Sequence, residues 1–559
     1  MMNRFLETYS LNYANLFFAF SLFLMTYSSI SQEKITYTIK PIQANDRTNL
    51  EVTVKFITHK DSVHTIKLPT DNYGTPNIHK YITKFNSEKG AIITNGESSL
   101  YKKVIPNSNG VVNINYTVSY DPKKIEGSAF APNINKDYFS LAGCQWMLHI
   151  GDDKQKRLFN ISLVDAPKKW VLHSSIGTDA TKLSINASYE DLISSRIGGG
   201  GLSHKFYVKN KPVTIIIKGG FDIPVEEIFN ATEKIVRLQR DWFEDYNQSF
   251  YHVVINNRSN VIAGTAIKNQ FVCFVSSTIN KNELNIILAH EMFHNWLPRS
   301  IEIIHNDPYG ETLYEWFTEG FTTYFAKKIL VDAGLLSEME FIKLVNEEIQ
   351  NIGDNPIKSI TSSELILNIK ERNFSSYHKN LAYWRGALIA LKWESELQDQ
   401  NKNLSDYIRS LFKYTSQKNG KITEEEFFSF SKNFGIDAQK DFKKYIIDGE
   451  EILLTKLPQV IRNNYKLITT DFQNFEPGFD LIKTRKSKKV TGVNPNSKAW
   501  KAGLRDDMKY VRTRNSTRGK KGWSEERKMT VIVEIDNERK NIEFIPLNKS
   551  ISIQQIVKK

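Results

Sequence analysis

Cysteine is almost absent from this sequence. The 559 residues contain only two cysteines, Cys144 and Cys273, and each lies in an apolar stretch. Two thiols supply neither the four ligands of a cysteine-based zinc site nor the framework of a disulfide-rich domain, so both are excluded. A single disulfide fits an oxidising compartment, and two buried thiols fit the apolar surroundings at least as well.

Long apolar runs are also lacking, apart from one near the N-terminus. Residues 16–25 form an apolar stretch, and roughly twice that length is needed to span a bilayer comfortably. Ser29 and Ser31 suit a signal-peptidase cut before Gln32, and no cysteine follows the run as a lipoprotein anchor requires. We therefore predict a signal peptide at 1–31. The mature protein should be soluble, without a permanent membrane span, and periplasmic, at the cell surface or secreted.

No nucleic-acid motif accompanies the positive charge of the chain. The formal net charge is +13 at pH 7, and the densest basic stretches lie at 483–489 and 518–528. Neither stretch belongs to a basic groove with interleaved aromatic residues, so we interpret both as solvated, lysine-rich surface. Nucleic acid is therefore not a predicted partner.

The chain also lacks fixed-period repeats, and its 40% hydrophobic residues are enough for several packed domains. Residues 33–220 have the pattern of strands in KITYTIKPI, NLEVTVKF, VVNINYTVSY, LFNISLV and KPVTIIIKGG. These stretches predict an all-β domain of sandwich type. Four glycines at 198–201 predict a flexible turn, since the strand-to-helix context of a phosphate loop is missing.

Helical periodicity dominates from residue 225 to about 450. It predicts helices at 225–243, 281–296, 311–330, 336–352, 379–398, 403–415 and 423–433, with Thr423 and Glu426 as a capping box for the last. From about 465 short strands and turns return, which indicates a small β-rich domain. The predicted fold class is multidomain α+β, with a signal peptide at 1–31, an N-terminal β domain at 32–222, a mainly helical domain at 223–455 and a β-rich domain at 465–550.

The stretch HEMFHNW, residues 290–296, is the candidate reactive centre. Helical spacing places His290 and His294 one turn apart on one face, close enough for two imidazoles to bind one Zn²⁺ ion. Glu291 is rotated by about 100° from His290, so it reaches a water molecule at the metal without being a ligand. The alternative is a satisfied histidine pair on an ordinary helix.

A third ligand is predicted on the next amphipathic helix, YEWFTEGFTTYF. Turn residues between the two helices let them pack side by side, and Glu319 follows two bulky apolar residues that would shield its carboxylate. Glu315, one turn earlier, is the alternative ligand, and His305 in the loop is a weaker one. Ser300 stands where the HExxHxxGxxH pattern needs its third histidine, so that pattern is excluded.

These two helices resemble those of the gluzincins, zinc peptidases with two histidine ligands and one glutamate. HEMFHNW and EWFTEGFTTYF are similar to the signature helices of the glycyl aminopeptidase family, and LAYWRGALIALKWESEL and DFKKYIIDGEEI resemble later segments of its catalytic domain. The resemblance covers about residues 230–452. It implies a β-rich N-terminal domain, a thermolysin-like catalytic domain and a C-terminal PDZ domain, in that order.

The resemblance also implies roles for the matching residues. Glu291 would be the general base, and Tyr383 of YWRG would donate to the oxyanion, with Tyr377 as a nearby competitor. The chemistry agrees, because zinc lowers the pKa of its water toward about 7 and a carboxylate beside it takes the proton. The implied Zn²⁺ ligands are His290, His294 and Glu319.

One stretch departs from the family pattern. The family holds the substrate's N-terminal ammonium with an acid in a GGxEH-like strand, but VIAGTAIKNQFVCFVSS contains no acid, and Lys268 would repel an ammonium. Aminopeptidase and endopeptidase modes both stay open, as does an exopeptidase that uses another acid. Gly264 and Thr265 are predicted to contact the substrate through backbone hydrogen bonds.

The last domain resembles a PDZ domain, with Gly478 and Phe479 at the loop that binds a peptide carboxylate. Asp507 and Met508 replace the usual Gly-Asp pair after AGL. Strand addition of a peptide C-terminus and a purely structural role are both open.

The sequence as a whole predicts an exported zinc metallopeptidase of gluzincin type that acts on peptide or protein substrates. The alternative from another class is a catalytically idle scaffold whose PDZ-like domain binds peptides. A zinc hydrolase of esters or epoxides is a third reading. The full set of ligands, base and tyrosine argues against the idle scaffold.

Overall fold

A computed structural model describes residues 34–559 except 45–46, 61, 71–76, 89–90, 121–129, 169, 179–180, 259–260, 306, 372–374 and 516–527. The predicted signal peptide lies outside the described residues, as does most of the basic stretch at 518–528. None of the helices described has the length and apolar character that a membrane crossing needs. The chain forms two compact units, Met1–Glu233 with Tyr246–Asn280, and Lys234–Asp245 with Lys281–Lys559. The finer domain boundaries stay predictions.

The first unit is built mainly of strands. Its strands are β1 (Lys34–Ala44), β2 (Arg47–Thr58), β3 (His64–Lys67), β4 (Ile82–Glu88), β5 (Ile92–Asn95), β6 (Tyr101–Ile105), β7 (Gly110–Val118), β8 (Asn133–Ile134), β9 (Tyr138–Ala142), β10 (His149–Ile150), β11 (Arg157–Leu163), β12 (Leu172–Ser174), β13 (Lys182–Ala187), β14 (Arg196–Gly200), β15 (Leu202–Val208), β16 (Lys211–Lys218), β17 (Tyr251–Asn257), β18 (Ala263–Ile267) and β19 (Gln270–Val275). Its helical segments are two short turns, Ile78–Tyr81 and Gly143–Gln145, helix α1 (Tyr189–Ile193) and the first half of α2 (Val225–Phe243).

One hydrophobic core joins three sheets of this unit. The largest has the order β13–β11–β1–β2–β7–β4, and two smaller sheets have the orders β10–β3–β6–β5 and β12–β14–β9–β8. Along β11, Phe159, Ile161 and Leu163 face the core because successive side chains of a strand point to opposite faces. All five predicted strand stretches correspond to strands, so the β-rich prediction for this region is confirmed.

Three of the four glycines at 198–201 lie in a strand, and only Gly201 lies between strands. Gly198 lies in β14, which pairs with β12 on one side and β9 on the other, and it is buried. A Cβ atom on Gly198 would lie 2.7 Å from the Phe139 carbonyl oxygen, against the Lys218 ammonium. The turn prediction was wrong because glycine here gives neighbouring groups room to pack, as it often does inside a strand.

A mixed sheet with the order β15–β16–β17–β19–β18 completes the first unit. Its parallel strands β17 and β19 are buried along nearly their whole length, as is usual where both faces of a sheet are covered. Gly264 and Thr265 lie in the edge strand β18, opposite residues of β19. Cys144 and Cys273 are both buried thiols, which is the second of the two readings of the cysteine pair.

The second unit is mainly helical up to residue 462. Its elements are the second half of α2, α3 (Lys281–Phe293), α4 (Gly310–Asp332), α5 (Glu338–Gly353), α6 (Ser362–Lys370), α7 (Ser376–Gln398), α8 (Leu404–Ser416), α9 (Glu424–Phe434), α10 (Ala438–Asp441), a π-helical turn (Phe442–Ile447), α11 (Gln459–Arg462) and the paired strands β20 (Glu302–Ile304) and β21 (Lys421–Thr423). Every predicted helix is present, with ends that differ by a few residues. The capping box is confirmed, since Glu426 N donates to Thr423 Oγ1 at 3.2 Å and Thr423 N donates to Glu426 Oε2 at 2.9 Å.

The C-terminal region combines a two-stranded ribbon with a small sheet. Its elements are β22 (Tyr465–Phe475) paired with β26 (Leu547–Lys558), the sheet β23 (Lys509–Asn515), β24 (Met529–Ile535) and β25 (Glu538–Phe544), and helices α12 (Leu481–Ser487) and α13 (Lys498–Lys501). A separate apolar core that includes Phe479, Val490 and Leu504 holds this region together. The predicted β-rich character is present, but a helix, α12, follows Phe479. The multidomain α+β fold class is confirmed.

Candidate metal centre

Helix α3 presents His290 and His294 from consecutive turns. The buried residues of the helix begin at Leu284. A hydrogen bond at 2.8 Å from the Gln239 side-chain amide of α2 to the Ala289 carbonyl oxygen holds the two helices together. The two imidazole rings lie 4.7 Å apart between centroids at an angle of 89°, and their Nε2 atoms are 3.1 Å apart. The Nε2 atoms of the two histidines are therefore close enough to bind one ion.

Helix α4 brings Glu319 to the same point. Its Oε2 atom lies 3.2 Å from Nε2 of His290 and 3.5 Å from Nε2 of His294. The three side chains are only 14, 12 and 23% exposed, so the donors converge in a site that is largely shielded from water. Thr323, one turn after Glu319, approaches Nδ1 of His290 at 3.5 Å.

The spacing of these three atoms suits a tetrahedral metal ion. With bonds of about 2.0 Å to zinc, the ligand atoms of a tetrahedral site lie roughly 3.3 Å apart. The observed separations are 3.1, 3.2 and 3.5 Å. Two imidazoles and one carboxylate are also donors typical of catalytic zinc sites, which keep a fourth position open. Within the described part of the chain, this is the one group of three or more histidine, cysteine and acidic side chains close enough to hold a metal ion.

The backbone fixes the tautomer of His294. Its Nδ1 donates to the Leu297 carbonyl oxygen at 2.8 Å, which leaves Nε2 directed at Glu319 and His290. Burial disfavours the charged ring, but the hydrogen bond and charge of Glu319, together with the charge of Glu291, outweigh burial and raise the pKa of His294 to about 9. The neighbouring carboxylates thus favour positive charge at His294.

Glu319 is correspondingly held as an anion. Burial alone would raise the pKa of its carboxyl, but hydrogen bonds from His290 and His294 hold that pKa far below its usual range. A carboxylate that stays ionised at all ordinary pH values is the form that ligates a metal cation.

Glu291 and Tyr383 flank the three donors. Glu291 is buried, and burial raises its pKa in spite of the positive charge of the two histidines. Tyr383 of α7 stacks on the His290 ring with centroids 5.9 Å apart and planes 12° from parallel. Burial, and then the neighbouring carboxylates, raise the pKa of its hydroxyl well above the usual value. The Glu291 carboxylate therefore suits a proton acceptor, and the Tyr383 hydroxyl suits a hydrogen-bond donor that keeps its proton.

The model of the M61 glycyl aminopeptidase family matches residues 283–389. That segment runs from α3 into α7 and carries both histidines, Glu291, Glu319 and Tyr383. The resemblance to the glycyl aminopeptidase family is confirmed. Among curated proteins, none matches the chain significantly.

The chain is similar to three solved structures, at different levels of similarity. An aminopeptidase N family protein from Idiomarina loihiensis matches with a TM-score of 0.67 at 16% identity, covering 93% of this chain and 98% of that one. A variant M1 zinc metallopeptidase from Deinococcus radiodurans bound to a Tyr-Ser-Ala substrate has a TM-score of 0.43 at 13% identity, with coverages of 77 and 96%. Yeast LTA4 hydrolase with bestatin has a TM-score of 0.43 at 14% identity, with coverages of 77 and 69%. At 16% identity, the first match concerns the fold alone.

The sequence also offered Glu315 and His305 as alternative ligands, and neither belongs to the group of His290, His294 and Glu319. Glu315 lies one turn before Glu319 on α4 and is not among the three converging donors. Nδ1 of His305 approaches the Asp307 carbonyl oxygen at 3.1 Å instead. Gly264 and Thr265 belong to the other unit, and their contact with a substrate stays a prediction.

Sequence reasoning missed one charged neighbour of the site. Lys379 lies one turn before Tyr383 on α7 and is exposed, and its charge lowers the pKa values of both Glu291 and Glu315 against the effect of burial. The spacing of four residues from Tyr383 was the available signal, because side chains at i and i+4 share a helix face. Tyr383, rather than Tyr377, is the tyrosine that stacks on His290.

Proposed function

We propose that this protein is a zinc metallopeptidase of gluzincin type that hydrolyses peptide bonds in peptides or proteins. The observation that carries the proposal is the convergence of the three candidate ligands at separations of 3.1, 3.2 and 3.5 Å, with Glu291 and Tyr383 beside them. The family match over residues 283–389 supports a peptidase. The sequence resemblance supports a thermolysin-like catalytic domain that follows a β sandwich in the chain.

Each side chain of the centre has a defined role. His290, His294 and Glu319 would hold Zn²⁺, which when bound polarises a carbonyl group and lowers the pKa of a water molecule. Glu291 accepts the proton from the attacking water and delivers it to the leaving amine. Tyr383 donates a hydrogen bond to the carbonyl oxygen as negative charge develops there, a type of contact worth about 3 kcal/mol.

The cleavage mode depends on how the substrate's N-terminus is held. An aminopeptidase needs an anion near the metal for the α-ammonium, whereas an endopeptidase does not. Residues 261–277 contain no acid, so an aminopeptidase mode requires a carboxylate from elsewhere in the chain. Peptides with free and acetylated N-termini separate the two modes.

We also propose a PDZ-like domain at 465–550 and export by the signal at 1–31. Gly478 has a φ of +75°, and a Cβ atom there would crowd Ser497, so the turn before Phe479 requires glycine. Because α12 follows that turn, a peptide C-terminus that adds as a strand would use an edge of the β23–β24–β25 sheet. The mature protein should begin at Gln32, which N-terminal sequencing of exported material tests.

A mixed peptide library tests the enzymatic proposal. Zinc-loaded wild-type protein should produce cuts that mass spectrometry can map, whereas Glu291→Gln should bind zinc and cleave nothing, because a carboxamide cannot accept the proton. Glu283→Gln, on the same helix, is the matched control and should cleave like wild type. Wild-type protein that holds stoichiometric zinc yet cleaves no peptide would favour the idle, peptide-binding scaffold.

A further inference from the structure

Glu315 is a carboxylate without a partner beside the metal centre. It lies on α4 one turn before Glu319 and is half-buried. Within the described residues, no hydrogen bond or ion pair reaches its side chain, whereas Glu319 contacts both histidines. A carboxylate that is partly withdrawn from water and left unpaired is costly, so its position favours the approach of a cation.

The charged and polar groups that interact with Glu315 include those of the metal centre. Its charge contributes to the raised pKa of the Tyr383 hydroxyl. Burial, and then the charge of Glu319, raise the pKa of Glu315 to about 7, while Lys379 opposes the shift. In the described structure, the exposed Lys379 does not come within ion-pair distance of this carboxylate. Glu315 is therefore open to a cation that arrives beside Tyr383 and Glu319.

A small cavity that Glu315 also lines is too small for a whole lysine or arginine side chain. The cavity lies among residues of α4, α6 and α7, has a volume of about 40 Å³, and is not lined by Tyr383 or by any of the three metal donors. That volume holds about one water molecule. Arg385 in its wall donates to the carbonyl oxygens of Lys358 and Ile360 and does not pair with Glu315. Because the cavity has no room for such a residue, we place the approach of the charged group on the metal side of Glu315.

We propose that Glu315 binds a positively charged group of the peptide substrate close to the bond that is cut. The inference rests on the proposed peptidase function. Four helical residues, about 6 Å along the axis, separate Glu315 from Glu319, and an extended peptide rises about 3.3 Å per residue. The charged group therefore belongs to a residue within about two positions of the cleaved bond.

Two sources offer this chemistry, the α-ammonium of an N-terminal residue and the side chain of lysine or arginine. In the first case Glu315 supplies the anion that residues 261–277 lack, and the protein is an aminopeptidase. In the second case the protein selects basic residues and does not need a free N-terminus. Both groups donate charge-assisted hydrogen bonds to a carboxylate.

Four matched peptides distinguish the two sources. They combine a free or acetylated N-terminus with lysine or norleucine next to the cleaved bond, and kcat/KM is measured for wild type, Glu315→Gln and Glu315→Asp. We expect wild type to prefer the charged peptides by about 10- to 100-fold, and Glu315→Gln to lose that preference. A loss confined to free N-termini identifies the α-ammonium, and a loss confined to lysine peptides identifies the side chain.

The matched control is Glu311→Gln, because Glu311 is an exposed glutamate one turn earlier on the same helix. It should keep the full wild-type preference, and Glu315→Asp should keep part of it because the charge remains. Zinc content and thermal unfolding of each variant separate a changed preference from a damaged fold.

The inference is overturned if Glu315→Gln keeps the wild-type ratios between the four peptides, or slows all four equally. In both cases wild-type cleavage would leave the proposed peptidase function standing. Wild-type protein that holds zinc and cleaves none of the peptides would refute the proposed function itself, and this inference with it.

Discussion

Gly320 of α4 and Gly386 of α7 lie backbone against backbone. A Cβ atom on Gly386 would overlap the Trp316 carbonyl oxygen, and one on Gly320 would overlap Cα of Gly386. The two helices approach this closely only because neither residue has a side chain. Glu319 directly precedes Gly320, and Tyr383 lies one turn before Gly386. The glycine contact therefore sets the distance between a candidate metal ligand and the candidate oxyanion donor.

Gly386→Ala should disturb stability and catalysis together. The added methyl group cannot be placed without moving α7 from α4, and overpacking of this kind costs about 1–3 kcal/mol. We expect a lower free energy of unfolding in chemical denaturation and a fall in kcat/KM of about tenfold or more, because Tyr383 moves with the helix. Gly220→Ala is the control, since no atom lies within 4 Å of its added Cβ atom. Wild-type activity in Gly386→Ala would mean that the contact does not position Tyr383.

Glu319→Gln should weaken zinc binding. A carboxamide carries no negative charge, and even changes to the hydrogen-bond partners of metal ligands typically cost about 10- to 100-fold in affinity. We expect at least that loss in competition with a chromophoric chelator. Glu315→Gln is the matched control and should bind zinc like wild type. The reverse result, with zinc lost in Glu315→Gln and kept in Glu319→Gln, would make Glu315 the third ligand.

Tyr383→Phe should lower kcat and retain zinc. The phenyl ring keeps the stack on His290, whereas the loss of one oxyanion donor costs about 100- to 1000-fold in kcat. Steady-state kinetics on a cleaved library peptide, with the zinc content measured in parallel, gives the result. Tyr377→Phe is the control and should leave kcat unchanged. A rise in KM at constant kcat would assign Tyr383 to substrate binding instead.

The metal residues could be predicted because their chemistry depends on local spacing. His290, Glu291 and His294 are placed by one regular helix, and the bulky apolar residues before Glu319 made it the leading third ligand on the next helix. Tyr383 came from the resemblance, because its distance from the zinc helix in the sequence carries no geometric information. The contact between Gly320 and Gly386, which brings Tyr383 back to His290, is a property of the fold.

Features that depend on distant neighbours could not be predicted. The glycine run that includes Gly198 indicated a flexible turn. The close approach of Lys218 and Phe139 to Gly198 arises only in the folded protein. Helix α12 was missed because its residues lack the apolar repeat of an amphipathic helix. Asp480 offered a local signal, since its side chain caps the helix by accepting a hydrogen bond from Lys483 N at 2.9 Å. The sequence offered Glu315 only as an alternative metal ligand. That its carboxylate has no partner among the described residues is visible only in the folded chain.

Lys327 of α4 and Glu348 of α5 form a buried ion pair, two turns after Glu319 on the metal helix. The Lys327 Nζ atom lies 2.5 Å from both carboxylate oxygens, and the side chains are 2 and 10% exposed. Burial raises the pKa of Glu348 although the charge of Lys327 opposes this. Each charge of the pair is therefore tolerated in the interior mainly because of the other.

Lys327→Met should consequently destabilise the protein by about 3–5 kcal/mol, because it leaves a buried carboxylate unpaired. Guanidinium denaturation of the zinc-loaded protein measures the loss. The double variant Lys327→Met with Glu348→Leu should recover most of it, since an apolar pair of similar volume removes the cost of burying charge. Lys413→Met is the control, because Lys413 pairs with Glu244 at 64 and 70% exposure and should contribute less than about 1 kcal/mol. Equal losses in the single and double variants would mean that packing around Lys327, and not its charge, stabilises the metal helix.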